Sequence, residues 1–287
     1  MKVKFTDRNR KKNYNEVLVT GDVKKLVDTA QDMLQEHGSK VVPDPVWKQY
    51  AKRCVASMHL LKPLELAIIA RCFDAYDIDL KGAEFNVFGS LAKQLRETAA
   101  QKDFPGLAVL VLADVVARRL QNGKNSKEEL LDLLGRKACQ CMWELSPSNA
   151  VEVLTSVTSA GALHPTLCTR VARKVQSQLE TLPLGVLAKT AKALAAQEHR
   201  DLSLLQGIAH RVCAEGKGYP HSQQCAEDVL SAFQQLDIDG APEELKALAS
   251  GAGLRAESYA ADSVEEVDVD VPQGSDPRAM RDSQSSP

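Results

Sequence analysis

Strand signals are nearly absent from this 287-residue chain, which excludes sheet sandwiches, barrels and doubly wound folds and leaves an all-α architecture. Long apolar runs are missing too. No segment approaches the roughly 18 uninterrupted apolar residues that a membrane span needs. The most apolar stretch, Leu107 to Val116, contains Asp114 and is followed by Arg118 and Arg119. It reads as a central helix covered on both sides, and no membrane insertion is expected. Glycine-rich phosphate cradles are lacking: Gly251-Ala-Gly253 has neither a preceding strand nor a following Lys-Ser. No Gly-x-Ser-x-Gly elbow occurs either. These absences leave no reaction to write and no cofactor to place, so a non-catalytic protein is expected. Aromatic residues are only 5%, too few for a platform on which single-stranded bases stack.

Charge of one sign is also lacking, because the net charge is −2. Its distribution is uneven. Residues 1–12 carry Lys2, Lys4, Arg8, Arg10, Lys11 and Lys12 against Asp7, a net of +5. Residues 257–287 carry eight acids against Arg278 and Arg281, a net of −6, which leaves the body 13–256 at −1. A uniformly basic nucleic-acid binder is therefore not indicated, although net charge averages over faces. The seven cysteines are odd in number and stand mostly on apolar helical faces. That favours buried free thiols in a reducing compartment over a disulfide framework.

What the chain does contain is a repeat. Phe73-Asp-Ala-Tyr-Asp-Ile-Asp79 matches Phe233-Gln-Gln-Leu-Asp-Ile-Asp239 at a separation of 160, and Glu84-Phe85 then matches Glu244-Leu245. That separation suits four units of about forty residues. Prolines at 63, 105, 147, 183 and 220, spaced by 42, 42, 36 and 37, stand at the start of amphipathic runs. Proline is tolerated there because the first turn of a helix has no partner for its missing N–H. Ser126 with Glu129, Ser146-Pro147 and Asp44-Pro45 mark further helix starts. Each unit divides into two helices, with units near 20–61, 62–102, 103–145, 146–181, 182–218 and 219–256. A single hairpin cannot bury its apolar face, so the units must stack. The expectation is an α-solenoid of about six tandem two-helix repeats over 20–256. A basic extension (1–19) precedes it and an acidic segment (257–287) without helical period follows it.

Lys62-Pro-Leu-Glu-Leu-Ala-Ile-Ile-Ala-Arg-Cys-Phe-Asp-Ala-Tyr76 resembles a heptatricopeptide or octotricopeptide unit of FAST-kinase-like and RAP-associated organellar proteins. Leu182 to Leu194 and Ser222 to Leu236 are similar to it, and the resemblance covers most of 60–250. It implies a mitochondrial or plastid protein of RNA metabolism or the organellar ribosome, most plausibly the mitochondrial ribosome. No RAP module is recognised and the body is not basic, which leaves room for a protein–protein scaffold in another mitochondrial complex.

Two residue sets carry candidate chemistry. Arg118, Arg119, Lys124 and Lys127 surround one inter-helix turn, Arg136 and Lys137 follow, and Arg170, Arg173 and Lys174 stand in the next unit, with Lys189 and Lys192 later. Stacking aligns equivalent faces, so these form a candidate phosphate-contacting stripe for RNA. The bland alternative is a solvated face paired with Glu128, Glu129 and Asp132. His210-x-x-Cys213 followed by His221-x-x-x-Cys225 is a candidate zinc set, its pairs at i, i+3 and i, i+4. Ordinary packing is the weightier reading of it. Cys139-x-Cys141 is a poorer pair, since residues two apart point away from each other on a helix. Other proteins of a large assembly are the expected partners, with RNA as a further one. The basic N-terminus suits an arm for nucleic acid or acidic protein, and Val267-Asp-Val-Asp-Val271 alternates like a strand that adds to a sheet edge.

Overall fold

The computed structural model describes residues 22–35, 44–78, 82–98, 104–120, 126–159, 161–216 and 221–251. The two charged terminal segments, Lys124, Pro220 and the Ser126 hydroxyl of the expected capping box lie outside the described residues. Among the described residues every regular element is helical, and there are twelve α-helices. They are α1 (Val23–Gln35), α2 (Asp44–Ser57), α3 (Pro63–Ala75), α4 (Val87–Thr98), α5 (Gly106–Arg119) and α6 (Ser126–Gln140). The second half contributes α7 (Pro147–Ser159), α8 (Pro165–Gln176), α9 (Leu184–Ala196), α10 (Leu202–Glu215), α11 (Ser222–Gln235) and α12 (Glu243–Ala249). Single 3-10 turns, Met58–Leu60 and Ala83–Phe85, stand before α3 and α4. No helix among the described residues is long and apolar enough to cross a membrane.

Local chemistry explains where these helices begin. Pro63, Pro147 and Pro165 take the first position of α3, α7 and α8, while Pro105, Pro183 and Pro242 directly precede α5, α9 and α12. Side chains satisfy other orphan donors. Ser146 Oγ accepts from the Asn149 N–H at 3.1 Å, Asn86 Oδ1 from Gly89 at 2.8 Å, and Asp201 Oδ1 from Leu204 at 3.1 Å.

Helix ends explain the sequence match at a separation of 160. The Ile78 N–H donates to Phe73 O at 3.0 Å, and the Ile238 N–H to Phe233 O at 2.9 Å. The residues before them, Asp77 and Asp237, are left-handed with φ of 54° and 50°. His199 repeats the bond to Leu194 O at 2.9 Å, with Glu198 left-handed at φ 54°. This is the Schellman stop, in which one left-handed residue lets two N–H groups return to the last turn. The matched segments are thus a shared way of ending a first helix.

Packing follows a two-row pattern. The helices pair in order as hairpins, α1 with α2 through α11 with α12. In one row α3 packs on α1 and α5, α7 on α5 and α9, and α11 on α9. In the other α4 packs on α2 and α6, α8 on α6, and α12 on α10. Between α8 and α10 the turn after α8 takes over: Leu179 lies so close to Gly207 that a Cβ there would come within 2.8 Å of its Cδ2. Helix α5 is covered by α3, α7 and α6, and Leu112 and Val116 on it are fully buried. Each such side chain contributes about 1.5–3 kcal/mol by leaving water. Coverage of α5 is nevertheless incomplete. Leu107 is 58% exposed, contrary to the expectation of a helix apolar because it is enclosed.

Polar clamps fix one helix pair against the next. Gln197, buried after α9, donates from Nε2 to Ala162 O at 2.6 Å and Thr158 Oγ1 at 3.1 Å, and its Oε1 accepts from the His164 N–H at 2.6 Å. At the start of the stack Tyr50 stacks on Phe73 with centroids 5.6 Å apart, and its hydroxyl donates to Leu26 O at 2.6 Å.

Glu198 occupies a left-handed position at a cost that glycine does not bear. Glu198→Gly is expected to stabilise the fold by about 1 kcal/mol, raising the melting temperature by about 2–4 °C in calorimetry, whereas Glu198→Val lowers it.

Candidate interaction surface

Row neighbours cover the inner first helices α3, α5, α7 and α9 on two sides and the second row covers them behind, so one stripe remains open on each. It consists of the second, sixth, ninth and thirteenth residues of the helix. On α3 these are Leu64, Ile68, Arg71 and Ala75, and on α5 they are Leu107, Val111, Asp114 and Arg118. All are exposed or half-buried, as are their counterparts on α7 and α9. The stripe changes character along the stack. Toward α7 to α11 it is a ladder of rungs, with Lys189 Nζ 2.6 Å from Glu152 Oε1 and Lys192 Nζ 3.2 Å from Asp228 Oδ1. Toward α3 and α5 its sixth positions are the apolar Ile68 and Val111.

The expected basic stripe divides between two edges. Arg118 and Arg119 stand at the end of α5, where both hold the buried carboxylate of Asp74 on α3, Arg118 at 2.8 Å. Arg118 also pairs with Asp114, and Arg119 reaches Asp77 and, at 2.7 Å, the Asp74 carbonyl. The hydrogen bond to Asp114 raises the Arg118 pKa, and that to Asp74 raises the Arg119 pKa. At the opposite edge Arg170 donates to Cys139 O at 3.0 Å and Lys174 to Met142 O at 2.9 Å. These are carbonyls at the end of α6, which a helix leaves without internal partners. Arg136 pairs with Asp132 on its own helix at 3.0 Å. Lys137 is buried, its Nζ 5.7 Å from the centre of the Phe104 ring. Arg173 is exposed and Lys127 half-buried.

Sequence reasoning missed Arg211. It is the tenth residue of α10, as Lys174 is of α8, and it repeats the same act by donating to Leu179 O at 2.8 Å. The spacing of 37 between the two is a proline-like period that was available as a signal. Arg211 also holds Glu180 and Glu215, at 3.2 and 2.7 Å. Gln197 was missed as well, because a lone glutamine carries no periodic signature.

The candidate zinc set is not gathered. His210 is exposed on α10, His221 opens α11 exposed and left-handed at φ 64°, and Cys225 is buried. Among the described residues no three or more His, Cys, Asp or Glu are grouped to hold a metal ion. Cys139 and Cys141 are both buried, and the Cys141 thiol donates to Lys137 O at 3.2 Å. Burial pushes the thiols of Cys141 and Cys168 up to about 11 and that of Cys72 to about 12. Cys213 is raised by burial and by Glu244, but it alone is half-buried.

Asp74→Ala leaves Arg119 without its main acceptor and is expected to cost about 3 kcal/mol in denaturant unfolding. Arg118→Ala, at a side chain 54% exposed, costs under about 1 kcal/mol in the same assay. Under native conditions at mildly alkaline pH, a maleimide reagent is expected to modify Cys213 first, the others reacting only on unfolding, as peptide mapping of labelled sites will read. Compared with known proteins, the chain matches no family model and no curated protein.

Proposed function

We propose that this chain is a non-catalytic α-solenoid of six tandem two-helix repeats that serves as a protein-binding scaffold. Its setting, in this reading, is a mitochondrial ribonucleoprotein, most plausibly the ribosome, as the tricopeptide-like resemblance implies. The observation that carries the scaffold reading is the engagement of the cations. Arg118, Arg119, Arg136, Arg170 and Lys174 each hold an acceptor within the protein, and Lys137 is buried. A phosphate-contacting stripe needs cations free to release counterions, in number and on one face. Here Arg118, Arg119, Arg170 and Lys174 serve the joints between repeats instead, and Arg136 is paired within its own helix. Neutral rungs such as Glu152–Lys189 on the open stripe suit a protein partner better than a polyanion.

Crosslinking of the full chain in isolated organelles, at low and at high salt, tests this reading. Protein crosslinks retained at high salt, with no RNA attached, are the expected result. Salt-sensitive RNA crosslinks at Arg118–Lys137 or Arg170–Lys174 refute protein-only binding and restore RNA contact as the function.

A further inference from the structure

Three helix pairs meet at one buried imidazole. His164 is 7% exposed and stands in the turn between α7 and α8. Its backbone N–H donates to Gln197 Oε1 at 2.6 Å, and Gln197 in turn holds Thr158 and Ala162. Its ring lies against α6: a Cβ on Gly135 would stand 2.6 Å from the ring Cδ2, so glycine there leaves the space the ring fills. The Leu167 N–H donates to Nδ1 at 3.2 Å, which caps α8. An Nδ1 that accepts carries no proton, so the neutral ring bears its hydrogen on Nε2. That nitrogen is buried without a hydrogen bond, and Asp132 Oδ1 on α6 faces it at 3.8 Å, beyond hydrogen-bond reach. Such orphaned groups are uncommon in native interiors.

The groups around the ring decide what a proton on it does. Asp132 carries the charge that faces it, and Arg136, 3.0 Å from Asp132, stands beyond on the same helix. The end of α9 presents the neutral Gln197, and the α7–α8 turn the Ala162 carbonyl that Gln197 holds. Helix α8 presents the Cys168 thiol, which burial pushes up to about 11 and so keeps protonated. Histidine is the side chain that changes charge between about pH 5 and 8. A proton at Nδ1 turns the acceptor into a donor, so the Leu167 N–H loses its partner. The positive charge then faces the N-terminal end of α8, which disfavours it. The same proton makes Nε2–H part of a cation, which draws the Asp132 carboxylate toward it and away from Arg136. We propose that His164 is a pH-sensitive latch. Neutral, it belongs to the first turn of α8; charged, it releases that turn and ties the α7–α8 connection to Asp132 on α6. The bond lost and the bond gained oppose each other, so the exchange is local and the stack stays folded.

The test is an NMR titration of the full-length protein from about pH 8 to about pH 5, following the His164 ring and the Leu167 amide. The Leu167 amide proton is expected to move upfield, as a broken hydrogen bond requires, with the same midpoint as the ring. Its exchange with water, corrected for the intrinsic rate at each pH, rises at least about tenfold (about 1.4 kcal/mol) while amides within α5 and α9 keep their protection. His164→Asn supplies a cap that does not titrate, and makes Leu167 indifferent to pH. Asp132→Asn, at a side chain 43% exposed, leaves the charged ring without its acceptor, so a lower pH is needed for the same change. A Leu167 amide that does not follow the ring, or that still responds in His164→Asn, overturns the proposal. A ring that takes up no proton by about pH 5 overturns it too, by making the orphaned Nε2 a fixed part of the joint. So does loss of protection across α5 and α9 at the same midpoint, which makes the acid response an unfolding of the stack. Should His164→Asn not fold, the coincidence or separation of the two midpoints in the unmodified protein decides.

Discussion

Everything in this molecule depends on the side-by-side packing of first helices, α1 through α11, because no hairpin can bury its own apolar face. Each inner first helix must offer three apolar directions, two to its row neighbours and one to the second row. That requirement explains the Ala- and Leu-rich sequences of α5 and α9, in which Ala113, Leu112, Ala191 and Leu194 are fully buried. Small alanines let axes approach while leucines fill the space between them. Only one stripe per helix is then left for anything else, and function is confined to it and to the two edges.

Stacking alone does not fix how far one hairpin slides along the next. Polar clamps at the helix ends do so. Asp74 with Arg118 and Arg119 joins α3 to α5, Gln197 joins the end of α9 to the α7–α8 turn, and Arg211 joins α10 to the end of α8. In each case a buried acceptor or donor is satisfied across the joint, and its loss leaves an unpaired group that is costly in a dry interior. Among the described residues three buried side-chain nitrogens have no hydrogen bond, Arg53 Nε, Arg211 Nε and His164 Nε2, the last facing Asp132 Oδ1 at 3.8 Å while its Nδ1 caps α8.

Helix positions were legible because the signals are local. Prolines, serine caps and the Phe–Ile stop each act within one turn, and apolar periodicity gives the buried face. The intervals around 62–102 and 146–181 each hold two helices as the punctuation implied. The fate of the cations was not legible. Arg119 finds Asp74 45 residues away and Arg211 finds Leu179 32 residues away, distances at which no sequence pattern marks a partner. For the same reason the spacing of His210, Cys213, His221 and Cys225 left a zinc set open beside the weightier reading of ordinary packing, and helical phase turns them to different environments. Leu107 shows the reverse error. Its apolar surroundings suggested enclosure, yet the second position of a first helix is the one that stacking leaves open.

A row of nearest-neighbour helix contacts holds the molecule together. Native-state hydrogen exchange on the full chain tests it most directly. The slowest exchange is expected in α5, α7 and α9, flanked on both sides, with protection falling toward α1 and α12. Equal protection in all twelve helices, or the greatest in α1 or α12, would contradict it.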